Sequence, residues 1–219
     1  MNEFVIRKAT TKDIPFLVHT IIEAEKSGTE ILSYSTVFGL TELEVKNYLK
    51  QMLAEEVENS ELSVSSFLVA EKDGVVAAAL SAWIEGFGGM SSSMLKGNLL
   101  KYFLPKQCFE RAAKINNVIR DVHIEYIPNS IQIGAGYVAK EFRRNGLLGI
   151  LNKELIESLA NTINGEKVIY AQIFTLNLPS MKTYEKAGFD IILTKKSNNE
   201  EILKYLPSNE KILLKKVLE

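Results

Sequence analysis

Val138-Ala-Lys-Glu-Phe-Arg-Arg-Asn-Gly-Leu-Leu-Gly149 is the stretch on which the fold turns. Just before it, Ser130-Ile-Gln-Ile-Gly-Ala-Gly-Tyr137 is rich in strand formers. Just after it, Leu148, Leu151, Leu155 and Leu159 recur at helical spacing. A strand therefore feeds a short loop of two arginines, an asparagine and a glycine, and that loop opens a helix. The first amides of a helix have no internal partner and sit at the positive end of its dipole. Amides near Asn145, Gly146, Leu147 and Leu148 are thus expected to cradle a phosphate, with Arg143 or Arg144 adding charge. A side chain at position 146 would hold an anion off the backbone, which accounts for the glycine there.

A rival motif overlaps this one. Gly134-Ala-Gly136-Tyr-Val-Ala139 satisfies the dinucleotide fingerprint G-x-G-x-x-G/A. That motif needs a helix starting near Tyr137 and an acid after the next strand to hold a ribose. The next strand candidate, 168–174, runs into Thr175 and Leu176 with no acid, and no series of βαβ units follows. Gly134 and Gly136 read instead as places where a strand bulges or lets a ligand lie against its backbone.

The 219 residues, 46% hydrophobic and 24% charged, suit one large soluble domain spanning the chain. A net charge of −1 points to neither nucleic acid nor an anionic membrane. The single cysteine, Cys108, excludes an internal disulfide, fits a reducing compartment and reads as a packed thiol on a helix. His19 and His123 have no Cys or His at ligand spacing, so no metal site is expected. No apolar run reaches membrane-spanning length, and the N-terminus lacks a signal-peptide pattern. The expected location is the cytoplasm.

Outward from the central stretch the pattern is regular. Residues 4–9 read as a first strand, followed by a Thr10–Asp13 capping box and a helix on the stripe Ile14, Leu17, Val18, Ile21, Ile22. A second box, Thr41 with Glu44, opens a helix on Val45, Tyr48, Leu49, Met52 and Leu53, and residues 30–39 between the two read as a loop. The runs 67–71 and 75–84 flank Asp73-Gly74 and form a hairpin, the second run apolar enough to be buried on both faces. Residues 85–129 hold a glycine- and serine-rich loop and two helical segments, 94–104 and 107–119, divided by Pro105. Asn164-Gly165 turns into the strand 168–174. Pro179 at a first helical position and Gly188 bracket a short helix, and 190–194 and 211–218 read as closing antiparallel strands.

Two of these blocks resemble the GNAT N-acetyltransferase superfamily. Arg143-Arg144-Asn145-Gly146-Leu147-Leu148 resembles its acyl-CoA signature Arg/Gln-x-x-Gly-x-Gly/Ala, except that Leu148 stands at the last small position and Gly149 follows one place late. Asn177-Leu-Pro-Ser-Met-Lys-Thr-Tyr184-Glu-Lys-Ala-Gly-Phe189 resembles its second block. The likeness is good over 130–190, loose before residue 85 and absent over 85–129.

It implies a mixed α/β GNAT fold: a central, mostly antiparallel mixed sheet flanked by helices. Residues 85–129 are then a helical insertion between strands 3 and 4 that borders the acceptor pocket or forms a dimer contact. The implied activity is transfer of the acetyl group of acetyl-CoA, the cosubstrate, to a primary amine of a small molecule or protein. The alternative is a module that binds acyl-CoA without turnover. The implied donor site comprises the backbone amides of Tyr137 and Val138, the loop from Arg143 through Gly149, and Asn177, which holds the pantetheine arm. Tyr184 would protonate the leaving thiolate. Glu125 stands where some members carry a catalytic glutamate; it is either that base or a solvated acid, with ordered water taking the proton.

Overall fold

The computed structural model describes residues 4–218. Residues 1–3, part of the stretch read above for a signal peptide, and residue 219 lie outside it. The strands are β1 (Val5–Lys8), β2 (Phe67–Lys72), β3 (Val75–Ile84), β4 (Ile131–Val138), β5 (Lys167–Phe174), β6 (Asp190–Lys196) and β7 (Glu210–Leu218). They form a seven-stranded sheet in the order β1-β2-β3-β4-β5-β7-β6. Every adjacent pair is antiparallel except β4 and β5, which run parallel. The helices are α1 (Ile14–Lys26), α2 (Ser33–Phe38), α3 (Glu42–Ala54), α4 (Ser92–Phe103), α5 (Lys106–Ile119), α6 (Leu147–Ala160) and α7 (Leu178–Lys186). The mostly antiparallel sheet flanked by helices is the one the two blocks implied. Among the described residues no helix is long and apolar enough to cross a membrane.

Each face of the sheet buries its own apolar cluster. On one side, Leu17 and Ile22 of α1 and Leu49 and Met52 of α3 pack on Phe67, Val69 and Ala79. On the other, Leu147, Leu151 and Leu155 of α6 pack on Ala78, Leu80, Ala82, Ile131 and Ile169. β3 supplies both clusters, which is why its sequence runs apolar without alternation. Its hairpin turn puts Asp73 and Gly74 at φ +52° and +79°, as a two-residue turn of this hand requires. Arg7 fastens the first elements together: its guanidinium donates to both oxygens of Asp13, at 2.7 and 2.9 Å, and to Glu71 at 2.7 Å.

The segment 30–39 is not the open loop expected of it. It contains α2, because Tyr34 and Val37, three apart, both bury on one face among the hydroxyl residues. Ser91 caps α4, its hydroxyl accepting from Met94 N at 3.2 Å, so the helix begins earlier than residue 94. α4 packs beside α3, and α5 lies against α2. Phe38 and Phe109 meet edge to face with ring centroids 6.1 Å apart. Arg111 donates to Thr36 O at 3.1 Å. Cys108 is buried in the α1–α3 cluster, the packed thiol expected of it, and burial pushes its pKa up.

β4 carries a bulge. Leu80 pairs with Gly136 but Ala82 pairs with Ile133, so Gly134 and Ala135 together oppose Ser81. A Cβ on Gly134 would come within 2.5 Å of Ser81 Oγ and 2.7 Å of Trp83 Cζ3, so only glycine fits there. Gly134 therefore marks a bulge, one of the two readings the sequence offered for this glycine pair, while Gly136 pairs in register with Leu80.

Candidate active site

β4 and β5 stay together for only three residues. Ile131, Gln132 and Ile133 pair with Ile169, Tyr170 and Ala171, and beyond that the two strands part. A cavity of about 690 Å³ adjoins the gap, walled by Gly134, Ala135 and Gly136 of β4 and Gln172, Ile173 and Phe174 of β5. The ladder decides which β4 amides are free to face the gap. Ala139 N donates to Ala77 O, and bonds alternate along an antiparallel pair. Tyr137 N–H is thus turned to Ala79 of β3, while the amides of Gly136 and Val138 point away from β3 toward the gap. Of the two amides expected to serve a ligand, that of Val138 faces the gap and that of Tyr137 faces β3; the amide of Gly136 faces the gap as well. The Tyr137 ring packs instead on His19 and Phe16 of α1, at 4.7 and 6.0 Å between centroids.

The loop after β4 is shaped by two left-handed residues, Arg144 at φ +70° and Gly146 at φ +69°. Asn145 Nδ2 donates to Phe142 O at 3.0 Å, and Arg143 Nε to Val138 O at 3.3 Å. Gly146 caps α6, whose first internal bond runs from Ile150 N to Gly146 O. The amides of Leu147, Leu148 and Gly149 precede that bond and lack helical partners. A Cβ on Gly146 or Gly149 would meet nothing within 4 Å, so the backbone stands open at both. Arg143, Arg144, Asn145 and Gly146 are exposed, and Leu147 is buried in the core.

Leu148 explains the shifted small residue. A Cβ on Gly136 would lie 3.4 Å from Leu148 Cδ2, so the leucine side chain occupies space that Gly136 vacates on β4. The bare backbone position moves on to Gly149, which lines the cavity together with Leu148 and Asn152 of α6. Asn152 Oδ1 is buried with no hydrogen-bond partner among the described residues.

α7 closes another side. Asn177 caps it, its Oδ1 accepting from Ser180 N at 3.2 Å. Asn177 and Tyr184 both line the cavity. The Tyr184 ring meets Phe189 edge to face at 5.1 Å, and its hydroxyl has no hydrogen bond among the described residues. Burial holds its pKa well above the usual phenol value, so it stays protonated.

Glu125 does not join them. Its side chain is 83% exposed and lies 3.2 Å from His123 Nε2, outside the cavity wall. Three carboxylates do line the cavity: Glu157 of α6, which lies 3.8 Å from Lys153, Glu25, in the last turn of α1, and Glu61. Ser33 Oγ donates to Glu25 Oε2. Lys96 of α4 lies behind Glu61, 3.2 Å from its Oε2, with its ammonium 5.2 Å from the Tyr34 ring centre. Burial disfavours the Lys96 charge, yet Glu61 and its neighbours hold its pKa above the ordinary value. Tyr34, Tyr126 and Lys211 complete this end. Burial raises both phenols and lowers the Lys211 ammonium.

A family model described as "Acetyltransferase (GNAT) family" matches residues 36–189. A comparison with curated proteins finds no match. Among solved structures, an N-acetyltransferase from Staphylococcus aureus Mu50 is similar at TM-score 0.65 and 14% identity, over 97% of this chain and 100% of that one. The polyamine N-acetyltransferase of Drosophila melanogaster is similar at TM-score 0.59 and 15% identity, over 99% and 100%. The ribosomal-protein-alanine N-acetyltransferase of Brucella melitensis is similar at TM-score 0.54 and 20% identity, over 98% and 99%. At such identities these structures speak for the fold alone. With the family model spanning 36–189 and the two blocks set around a splayed β4–β5 pair, the chain belongs to the GNAT acetyltransferase family.

Proposed function

We propose that the protein moves the acetyl group of acetyl-CoA onto the primary amine of a small molecule, both substrates being bound at once. One observation carries this reading: a single cavity joins the start of α6, Tyr184, and the carboxylates Glu25 and Glu61. A donor thioester and an acceptor amine can therefore meet inside it.

The donor end suits acetyl-CoA. Free amides at Leu147, Leu148 and Gly149 and the exposed Arg143 and Arg144 are disposed toward phosphate oxygens. The amides of Gly136 and Val138 and the side chain of Asn177 suit the amide groups of a pantetheine arm.

The chain's own groups then have three tasks. An alkyl ammonium with a pKa near 10.4 must lose a proton before its nitrogen can attack the carbonyl carbon. We assign that task to Glu25 or Glu61, acting directly or through water, in preference to the exposed Glu125. As the C–N bond forms, a β4 amide can hold the oxyanion. As the C–S bond breaks, the Tyr184 hydroxyl can donate to the departing sulfur. A phenol raised above its usual value yields its proton poorly to an alkyl thiolate, whose own pKa is near 8.5. The work of Tyr184 is therefore hydrogen-bond donation to developing charge more than complete proton transfer.

The test is calorimetric titration with acetyl-CoA, followed by thiol release across a panel of amines. Saturable thiol release dependent on one amine class is the expected result. Tight acetyl-CoA binding with no amine-dependent release would instead make this a non-catalytic acyl-CoA-binding module.

A further inference from the structure

The charges on the acceptor side of the cavity leave one of each sign unpaired. Glu61 is matched by Lys96 at 3.2 Å. Glu25 receives only the Ser33 hydroxyl, and no cation stands within ion-pair distance of it among the described residues. Lys211, the second residue of β7, has no carboxylate within that distance among the described residues either. Its ammonium sits 5.7 Å from the centre of the Phe174 ring. The other two lysines on the wall are engaged: Lys153 with Glu157 at 3.8 Å, and Lys216 donating to Ala187 O at 2.6 Å.

From this arrangement we infer that the acceptor is an amino carboxylate, whose carboxylate binds Lys211 while its amine lies toward Glu25. The identification of the ligand as acceptor rests on the acetyltransfer reading above; the binding claim does not. A half-buried ammonium without an anion bears a desolvation cost that an incoming carboxylate offsets. The face of Phe174 holds the ammonium in place by its ring quadrupole without neutralising it. Burial lowers the pKa of Lys211, with the charge of Glu25 acting against that fall, that of Lys96 adding to it and that of Glu61 acting against it. A zwitterion meets both unpaired charges with opposite ones. A diamine of similar length would set its second ammonium against Lys211.

The test is calorimetric binding to the intact protein saturated with CoA, so that no turnover is needed. The probes are β-alanine, L-leucine and L-lysine, each beside its decarboxylated amine. At least one amino carboxylate should bind about tenfold or more tightly than its decarboxylated partner, the usual worth of a charge-assisted hydrogen bond. Lys211→Met should erase that preference, Lys211→Arg should keep it, and both should bind CoA as the wild type does. Wild-type protein that binds the decarboxylated amines equally or better overturns the inference. So does a folded Lys211→Met protein that keeps the preference, or binding of none of the three amino carboxylates. If Lys211→Met does not fold, Lys211→Gln takes its place under the same criteria. Lys211-dependent binding without thiol release from acetyl-CoA would sink the acetyltransfer reading and leave this one standing.

Discussion

Lys96 and Glu61 meet at 3.2 Å, and through this contact the inserted helices reach the wall of the cavity. Lys96 belongs to α4 and Glu61 to the turn ahead of β2, and both side chains are mostly covered. Removing the lysine leaves a covered carboxylate without its cation. Lys96→Met should cost about 2 kcal/mol in urea unfolding, below the figure for a fully buried pair. The double variant with Glu61→Gln should recover part of that loss, as a double-mutant cycle would show. Additive losses would mean that the pair has no coupling.

Gly146 separates two requirements, a left-handed backbone and an open approach to the first amides of α6. Asn and Asp both tolerate this backbone and have nearly the same shape, but only Asp carries charge. Gly146→Asp should weaken acetyl-CoA binding at least about tenfold more than Gly146→Asn, by the repulsion of a phosphate at a helix start. Equal affinities by calorimetry would place the phosphate elsewhere.

Tyr184→Phe keeps the ring against Phe189 and removes the donor. The rate of acetyl transfer should fall roughly 10²–10³-fold, as for loss of one donor to developing charge, with acetyl-CoA affinity nearly unchanged. Because burial raises this phenol, it stays protonated through the working range. The alkaline limb of the pH–rate profile should therefore survive in the Phe variant. A limb that disappears with the hydroxyl would show that Tyr184 titrates there.

Asp13 is a carboxylate held below its ordinary pKa, first by the hydrogen bonds from Arg7. A depressed acid contributes stability above its unfolded pKa, near 3.9, and loses that contribution as pH falls through the folded value. Asp13→Asn should lower the urea midpoint at pH 7. The gap from wild type should close progressively below about pH 4. A gap that is constant with pH would assign the loss to packing.

Gly134→Ala should be strongly disruptive although glycine is not needed there for its backbone angles. The new Cβ would sit 2.7 Å from a ring carbon of Trp83, which is 2% exposed. A loss of roughly 1–3 kcal/mol is expected from overpacking. Little change in urea unfolding would mean that the bulge can relax.

Helix stripes, capping boxes and the Asp73-Gly74 turn are local signals, so most elements of the fold could be read from the chain. The two family blocks likewise pointed to α6, Asn177 and Tyr184. What escaped depends on which way a residue faces. Glu125 is adjacent to Tyr126 in sequence, yet Tyr126 lines the cavity and Glu125 faces solvent. Glu25 did leave a trace: it continues the stripe of Ile21 and Ile22 at helical spacing and puts a charge where an apolar side chain would normally stand. Lys211 left none, because a lysine opening a strand looks the same whether it points into a cavity or into water. The direction of the Tyr137 amide was not legible because it depends on the register with β3, which one strand's sequence does not contain.

The extra residue in β4 sets the phase of everything after it. Ile131 and Ile133 belong to the cluster under α6, and uninterrupted alternation would carry Ala135 and Tyr137 to that same side. Instead Ala135 packs with the opposite cluster, Tyr137 meets α1, and Val138 joins the α6 side. Deleting either Gly134 or Ala135 would remove the bulge and still pair Gly136 with Leu80 and Tyr137 with Ala79, so the strand's end would keep the faces it has now. At this point the chain is specified by a count of residues: uninterrupted alternation would turn the amides of Gly136 and Val138 toward β3, and the one residue in excess turns them away from it.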